Sequence, residues 1–256
     1  METIKVTFLG TGTSQGVPVI GCNCAVCLSD DSKDNRFRSS ILIETQNKVI
    51  CIDSGPDFRQ QMLRSNVQQL DAIVYTHEHK DHTAGMDDVR AFNFKQKRPM
   101  ELFVDDNVEA CLKKEFSYAF SENPYPGVPQ LNINKIINEP FEVEGVQFIP
   151  IQLMHYKLPV FGFRVGDFAY CTDVNYIAPQ EKAKLTGLKV LVITALRKEK
   201  HISHFSLSEA LSLIDELKPD KAYLTHISHL LGKHGDIALE LPGNVKLSYD
   251  TLSITI

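Results

Sequence analysis

The sequence predicts an α/β protein with mixed sheets, and three observations lead there. Short apolar runs rich in Val, Ile, Phe and Tyr alternate with segments of helical periodicity along the 256 residues. Hairpin-like strand pairs interrupt that alternation, which argues against a doubly wound parallel sheet. No low-complexity or linker stretch divides the chain, so residues 1–256 read as a single domain.

Residues 4–10 (IKVTFLG) open the series as a strand. Gly10, Gly12 and Gly16 then read as a chain turning tightly. They do not form G-x-G-x-x-G and no Lys-Ser or Lys-Thr pair follows, which argues against a phosphate-binding nucleotide loop. Residues 40–53 read as strand, 57–66 as helix, 71–77 as strand, 84–96 as helix, 101–105 as strand and 107–116 as helix. The stretch 121–135 carries Pro124, Pro126 and Pro129 and reads as a loop-like insertion: a surface loop, a lid or the contact of a homodimer. Strands follow at 146–152, 161–173 and 189–195. The helix at 207–217 is announced by Ser206 and Glu209, spaced as a capping box. Strands at 221–226 and 246–256 close the chain.

Composition narrows the function classes. An apolar fraction of 43% is ordinary for a globular protein. No apolar run approaches the roughly 20 residues needed to span a bilayer. The start, METIKVTFLGTG, lacks an apolar stretch behind a basic one, so the expectation is a cytoplasmic protein with no membrane partner. A net charge of −5 argues against long nucleic acid as a partner.

The sharpest local signal is His77-Glu78-His79-Lys80-Asp81-His82. Alternate residues after a strand point to one side, so His77 and His79 can share a metal. Asp81 and His82, past the turn, are placed for a second ion about 3.5–4 Å away. An echo joins VYTHEHKDH (74–82) to YLTHISH (223–229): each runs a strand into Thr-His and then another histidine. It reads either as chance or as two half-domains delivering polar residues to a common cleft.

The six cysteines divide into two sets. Cys51, Cys111 and Cys171 sit singly in apolar segments and read as packed thiols. Cys22, Cys24 and Cys27 crowd one loop, one ligand short of a closed tetrahedral zinc site. A redox role, which needs only two cysteines, is the alternative. His229 is the preferred fourth ligand and His234 the other candidate; a structural zinc on His229 would pin the strand end bearing His226.

The H-x-H-x-D-H pattern behind a strand resembles the metallo-β-lactamase fold superfamily. That resemblance implies an αββα sandwich, two mixed sheets flanked by helices, with metals in a cleft at one edge. Its remaining ligands stand in order: His155 in LMHY, Asp173 in AYCTDV and His226 in YLTHISH. By resemblance, His77, His79 and His155 hold one ion, Asp81, His82 and His226 the other, and Asp173 bridges them. Imidazole and carboxylate ligands suit zinc, manganese or iron. Asp53 in CIDSGPD resembles the family's Asp-x-Gly turn, where it orients a ligand histidine or stabilises the glycine turn itself.

C-x-C-x-x-C after GTGTSQGVP, with RFRSSILIET, DSGPDFRQQ and LTHISHLLG in order, is similar to the phosphoribosyl cyclic-phosphate phosphodiesterase branch of that superfamily. The expected activity is metal-dependent hydrolysis of a small or cyclic phosphodiester by a metal-bridging hydroxide, using two catalytic divalent ions beside one structural zinc. Asp81, a ligand, and His204, which by resemblance protonates the leaving oxygen, are the catalytic candidates. His201 and His204 precede the helix at Ser206, whose N-terminus is a candidate seat for the phosphoryl group. Arg36, Arg38 and Arg197 are candidates to meet the phosphate or plain solvated arginines.

Three rival readings share features. A transfer-RNA 3′-end processing nuclease has the same ligands but needs a basic surface. A pyrroloquinoline quinone biosynthesis protein has the cysteine motif. A non-catalytic metal-binding interaction protein has no reason to keep Asp81 and Asp173 together.

Overall fold

A computed structural model describes residues 3–256. One sheet is built mainly from the first half of the chain: β1 (Lys5–Gly10), β2 (Ser40–Thr45), β3 (Lys48–Ile52), β4 (Ala72–Val74), β5 (Met100–Val104) and β6 (Leu131–Lys135). The other sheet holds β7 (Phe141–Val143), β8 (Val146–His155), β9 (Leu158–Val165), β10 (Phe168–Cys171), β11 (Tyr176–Ile177), β12 (Val190–Thr194), β13 (Lys221–Thr225) and β14 (Val245–Leu247). The last strand, β15 (Ser253–Thr255), crosses back and pairs with β1 at the edge of the first sheet.

Strand period explains the layering. Val6, Phe8, Ile41, Ile43, Ile50 and Ile52 turn from the first sheet into the core between the sheets, where Phe148, Phe163, Tyr170 and Val192 meet them. The alternate residues of the second sheet, among them Ala169, Cys171, Leu191 and Ile193, face outward to Ala210, Leu213 and Ile214 of the helix over Leu207–Leu217. Leu42, Cys51 and Ile73 likewise face Phe58, Met62, Val89 and Phe92 outside the first sheet. The helices are α1 (Phe58–Arg64), α2 (Lys80–Thr83), α3 (Arg90–Gln96), α4 (Asp106–Glu115), α5 (Pro179–Lys182), α6 (Leu207–Leu217) and α7 (His234–Glu240). Helices thus cover both outer faces, as an αββα sandwich requires.

The two sheets repeat one pairing scheme. In each, antiparallel strands (β1–β2–β3, β8–β9–β10) lead into a parallel run (β3–β4–β5–β6, β10–β12–β13–β14). This corrects the Thr-His echo. Its two strands, β4 and β13, do send residues to one cleft, but they are not equivalent, since the counterpart of β4 is β12. The equivalent pair is Asp53 beyond β3 and Asp173 beyond β10, both with left-handed backbone (φ 66° and 52°).

Several boundaries differ from the sequence reading. Residues 246–256 are two strands in different sheets, because the chain turns across the edge of the sandwich between them. Residues 40–53 fold into the β2–β3 hairpin around Gln46 and Asn47, both at positive φ. The insertion at 121–135 is shorter than expected, since β6 occupies its last residues and pairs with β5. No helix of the described residues is long and apolar enough to cross a membrane.

Candidate metal centre

The parallel runs place strand C-termini from both sheets along one edge, and the predicted ligands sit on or just beyond them. His77 follows β4, with Tyr75 still bonded to Phe103 of β5 and the Thr76 carbonyl accepting from Phe161 of β9. The second contact ties the sheets together beside the site. The chain then turns into the short α2, where the His82 and Thr83 amides donate to the His79 carbonyl. That turn folds Asp81 and His82 back against His77. His155 ends β8, while Asp173 and His226 lie just past β10 and β13 in left-handed conformation.

Ligand atoms of His77, His79 and His155 lie within 4.8 Å of one another, and so do those of Asp81, His82, Asp173 and His226. Asp173 faces both groups. Its Oδ1 is 2.9 Å from His226 Nδ1 and 3.4 Å from His82 Nε2, and its Oδ2 is 3.9 Å from His77 Nε2. His82 Nε2 also lies 3.2 Å from Asp81 Oδ2. His77 Nε2 and His82 Nε2 are buried without a hydrogen-bond partner. Buried polar atoms are normally paired, so these two nitrogens fit a site built for cations.

The backs of the rings are fixed. His82 Nδ1 donates to Asp53 Oδ2 at 2.7 Å. Thr76 donates from both its amide and its hydroxyl to Asp53, each at 2.8 Å, and its Oγ1 lies 3.0 Å from His77 Nδ1. One carboxylate therefore anchors a ring in each ligand group, leaving Nε2 free toward the cleft. His155 Nδ1 does the same against the Ser203 carbonyl at 2.8 Å. Gly55 holds this turn close: a Cβ there would stand 2.0 Å from the Asp81 carbonyl oxygen.

Electrostatics favour a cation. Burial pushes the Asp173 and Asp81 carboxyls upward, but His82 and His226 outweigh it and hold both well below the usual range. Burial opposes charge on His82, yet Asp81, Asp173 and Asp53 raise its pKa well above that of a free imidazole. The carboxylates thus draw positive charge to this point, and a bound cation would take the place of the Nε2 proton. His77, desolvated and beside His82, is lowered and stays neutral, as a ligand must.

Away from the cleft, the Sγ atoms of Cys22, Cys24 and Cys27 stand 3.3, 3.4 and 3.5 Å from His229 Nδ1. Bonds of about 2.3 Å to sulfur and about 2.0 Å to nitrogen set tetrahedral edges of about that length. The Cys27 backbone N–H lowers Cys24 to about 6, whereas burial raises Cys27 to about 11. His234 stays apart: its Nδ1 lies 3.2 Å from Arg36 Nη2.

His204 is buried, its ring stacked on His226 (centroids 4.7 Å) and close to His155 (4.5 Å), with Nδ1 unpartnered. Burial, then His226, lowers its pKa to about 2. His201 is only half-buried, 5.2 Å from His204 between centroids.

The other candidate phosphate contacts are engaged elsewhere. The N-terminus of α6 is closed by its own cap: Glu209 accepts from the Ser206 amide at 2.9 Å and puts a carboxylate where the phosphate was expected. Arg36 is buried against Thr11 and the Ser248 carbonyl, and Arg38 pairs with Asp57 at 2.9 Å. Arg197 folds onto the carbonyls of Glu199 and Lys200 in its own loop.

Sequence reasoning gave the threonines no role. Thr76, Thr172 and Thr225 each immediately precede a ligand. Thr172 donates to Asp173 Oδ1 at 2.7 Å, and the Asp173 amide donates to Thr194 Oγ1 at 2.8 Å. The recurring Thr before the ligand was the available signal.

The family model for the beta-lactamase superfamily domain matches residues 48–227. An octanoyltransferase of Porphyromonas gingivalis is 37% identical over 256 residues, 99% of this chain and 52% of that protein, so the chain spans about half of that curated relative. Among solved structures, a diphosphatase from the PhnP family superposes with a TM-score of 0.94 at 38% identity, over 100% of this chain and 98% of that one. Zinc-bound PqqB from Methylobacterium extorquens gives 0.79 at 17% identity over 98% and 99%, which shows the fold alone. The ligand constellation, the layered sheets and these matches agree: the chain belongs to the beta-lactamase superfamily, has its metallo-β-lactamase fold, and stands with the PhnP-family diphosphatase within it.

Proposed function

We propose that this metallo-hydrolase is a phosphodiesterase acting on a small or cyclic phosphodiester. The observation that supports it most is the pairing of a complete seven-residue ligand set with a buried histidine, His204, that packs on two of the ligand rings and has an unpartnered nitrogen. When bound, two divalent ions (zinc, manganese or iron suit the donor set) supply Lewis acidity and bring the pKa of water toward neutrality. His77, His79 and His155 hold one position, Asp81, His82 and His226 the other, and Asp173 spans them. Asp53 keeps the rings of His82 and His77 turned inward.

His204 gives a proton from Nδ1 to the leaving oxygen. Free of substrate it is neutral, and the anionic phosphoryl group supplies the charge that favours its protonated form. Cys22, Cys24, Cys27 and His229 form a separate structural zinc site. The net charge of −5 favours a small substrate over a polynucleotide.

A second reading, cleavage of a diphosphate linkage, is favoured by the 38% identity to a protein described as a diphosphatase. The two differ in what His204 must do, because a phosphate leaves without a proton and an alkoxide does not. His204→Ala should keep its metal content and lose roughly 10²–10⁴-fold on an alkyl phosphodiester, with little loss on a nitrophenyl ester. Wild-type turnover of a diphosphate but not of the alkyl diester selects the second reading. Equal losses of the variant on both esters assign His204 to binding.

A further inference from the structure

We propose that Asn175, which holds no metal, is a positioning residue that sets His204 over the ligand rings. This rests on the proton-donor reading of His204. Asn175 lies two residues beyond the bridging Asp173 and is half-buried, with both ends of its amide used. Its Oδ1 accepts from the Tyr156 backbone N–H at 2.7 Å, and its Nδ2 donates to the Ile202 carbonyl at 3.1 Å. Its own N–H donates to the Met154 carbonyl at 2.9 Å.

One side chain thus ties two segments that meet at the rim. The first is the turn after β8, where Tyr156 takes a positive φ of 58° immediately behind the ligand His155. The second is the loop 197–205, which carries His201 and His204 between β12 and α6. That loop has three other ties near His204. The Phe205 amide donates to the Val174 carbonyl at 2.7 Å, the Leu196 amide to the Phe205 carbonyl at 3.0 Å, and His155 Nδ1 to the Ser203 carbonyl at 2.8 Å. The first two hold the C-terminal side of His204, and the third uses a ligand. Asn175 holds the N-terminal side with a side chain that is not a ligand.

The consequence follows from geometry. A histidine moved by an ångström keeps its chemistry and loses its reach, which can cost on the order of 100-fold. His82, His77 and Asp173 have their own anchors in Asp53, Thr76 and Thr194, and His155 keeps its bond to the Ser203 carbonyl, so loosening this tie leaves the ions in place. Leu230, Tyr156 and Ile202 are exposed, but only the last two flank the tie.

Asn175→Ala and Asn175→Asp test the assignment. The aspartate keeps an acceptor for Tyr156 and loses the donor to Ile202, so it isolates the arm that reaches the His204 loop. Both variants should keep wild-type metal content and lose about 10- to 100-fold in kcat on an alkyl phosphodiester, with under about threefold loss on the nitrophenyl ester. Added to His204→Ala, Asn175→Asp should cost nothing more on the alkyl ester. Equal losses on the two esters, lost metal, or additive losses in the double variant overturn the role of Asn175. If His204→Ala itself fails to discriminate between the esters, it is the donor reading that fails, and the Asn175 proposal falls with it. Should Asn175→Ala fold poorly, Asn175→Asp alone decides.

Discussion

Asp53 touches no ion position, yet it is the residue on which most of the centre's order depends. It accepts from His82 Nδ1, from the Thr76 amide and from the Thr76 hydroxyl, which in turn meets His77 Nδ1. Asp53→Ala strands these buried donors, at about 1–3 kcal/mol for each that finds no partner. Metal affinity should fall about 10- to 100-fold at both positions together, read by competition with a chelator of known affinity. Asp53→Asn keeps the shape and tolerates φ 66°, so its melting temperature should drop less. Loss of one ion with full retention of the other would contradict the shared anchor. The ligands were legible in the sequence because their residue types and order are distinctive. Asn175 and the Ser203 carbonyl were not, because a hydrogen bond across 19 or 48 positions leaves no local pattern.

At the scale of elements, the cysteine loop and the end of β13 behave as one piece. The Thr13 amide donates to the Ile227 carbonyl and the Ile227 amide to the Thr11 carbonyl, so the glycine-rich turn lies alongside the segment between His226 and His229. The glycines at the start of the chain therefore serve a backbone-to-backbone approach; a Cβ on Gly12 would stand 3.0 Å from the Arg36 and Phe37 carbonyl oxygens. Cys24→Ser removes one ligand from this cluster. It should lower the zinc content by one ion per chain and the melting temperature by several degrees, since metal binding here contributes folding energy. Activity should fall with it, through displacement of His226; retained zinc with an unchanged melting temperature would sink the assignment. Period-2 strands and the capped α6 were readable from local chemistry, and the cap's Ser206 and Glu209 bond as their spacing predicts. The same cap removed the expected phosphate seat, a consequence visible only once the Glu209 side chain is placed. The break between β14 and β15 was hidden because KLSYDTLSITI alternates smoothly through a turn that changes sheets.

For the whole molecule, the division of labour between the sheets matters most. His77, His79, Asp81 and His82 come from the first sheet's connections, and His155, Asp173 and His226 from the second. Without ions, the unpartnered nitrogens of His77 and His82 and the Asp81 carboxylate on one side of the seam face the Asp173 carboxylate on the other. Extensive chelation should therefore lower the melting temperature and abolish turnover, and manganese or zinc should restore both; a metal-free preparation with full activity would end the reading.

The repeated pairing scheme carries this one step further. Each sheet with its outer helices resembles a self-contained unit, joined to its twin by an apolar core and by ions that draw ligands from both. Loaded protein should then melt in one sharp, cooperative transition. Stripped protein should melt more broadly, with amide exchange near Thr76 and Thr172 accelerating before that in the middle of β2 or β12. The ions, on this view, act as rivets as well as reagents, and the architecture makes catalytic competence and structural unity report on each other.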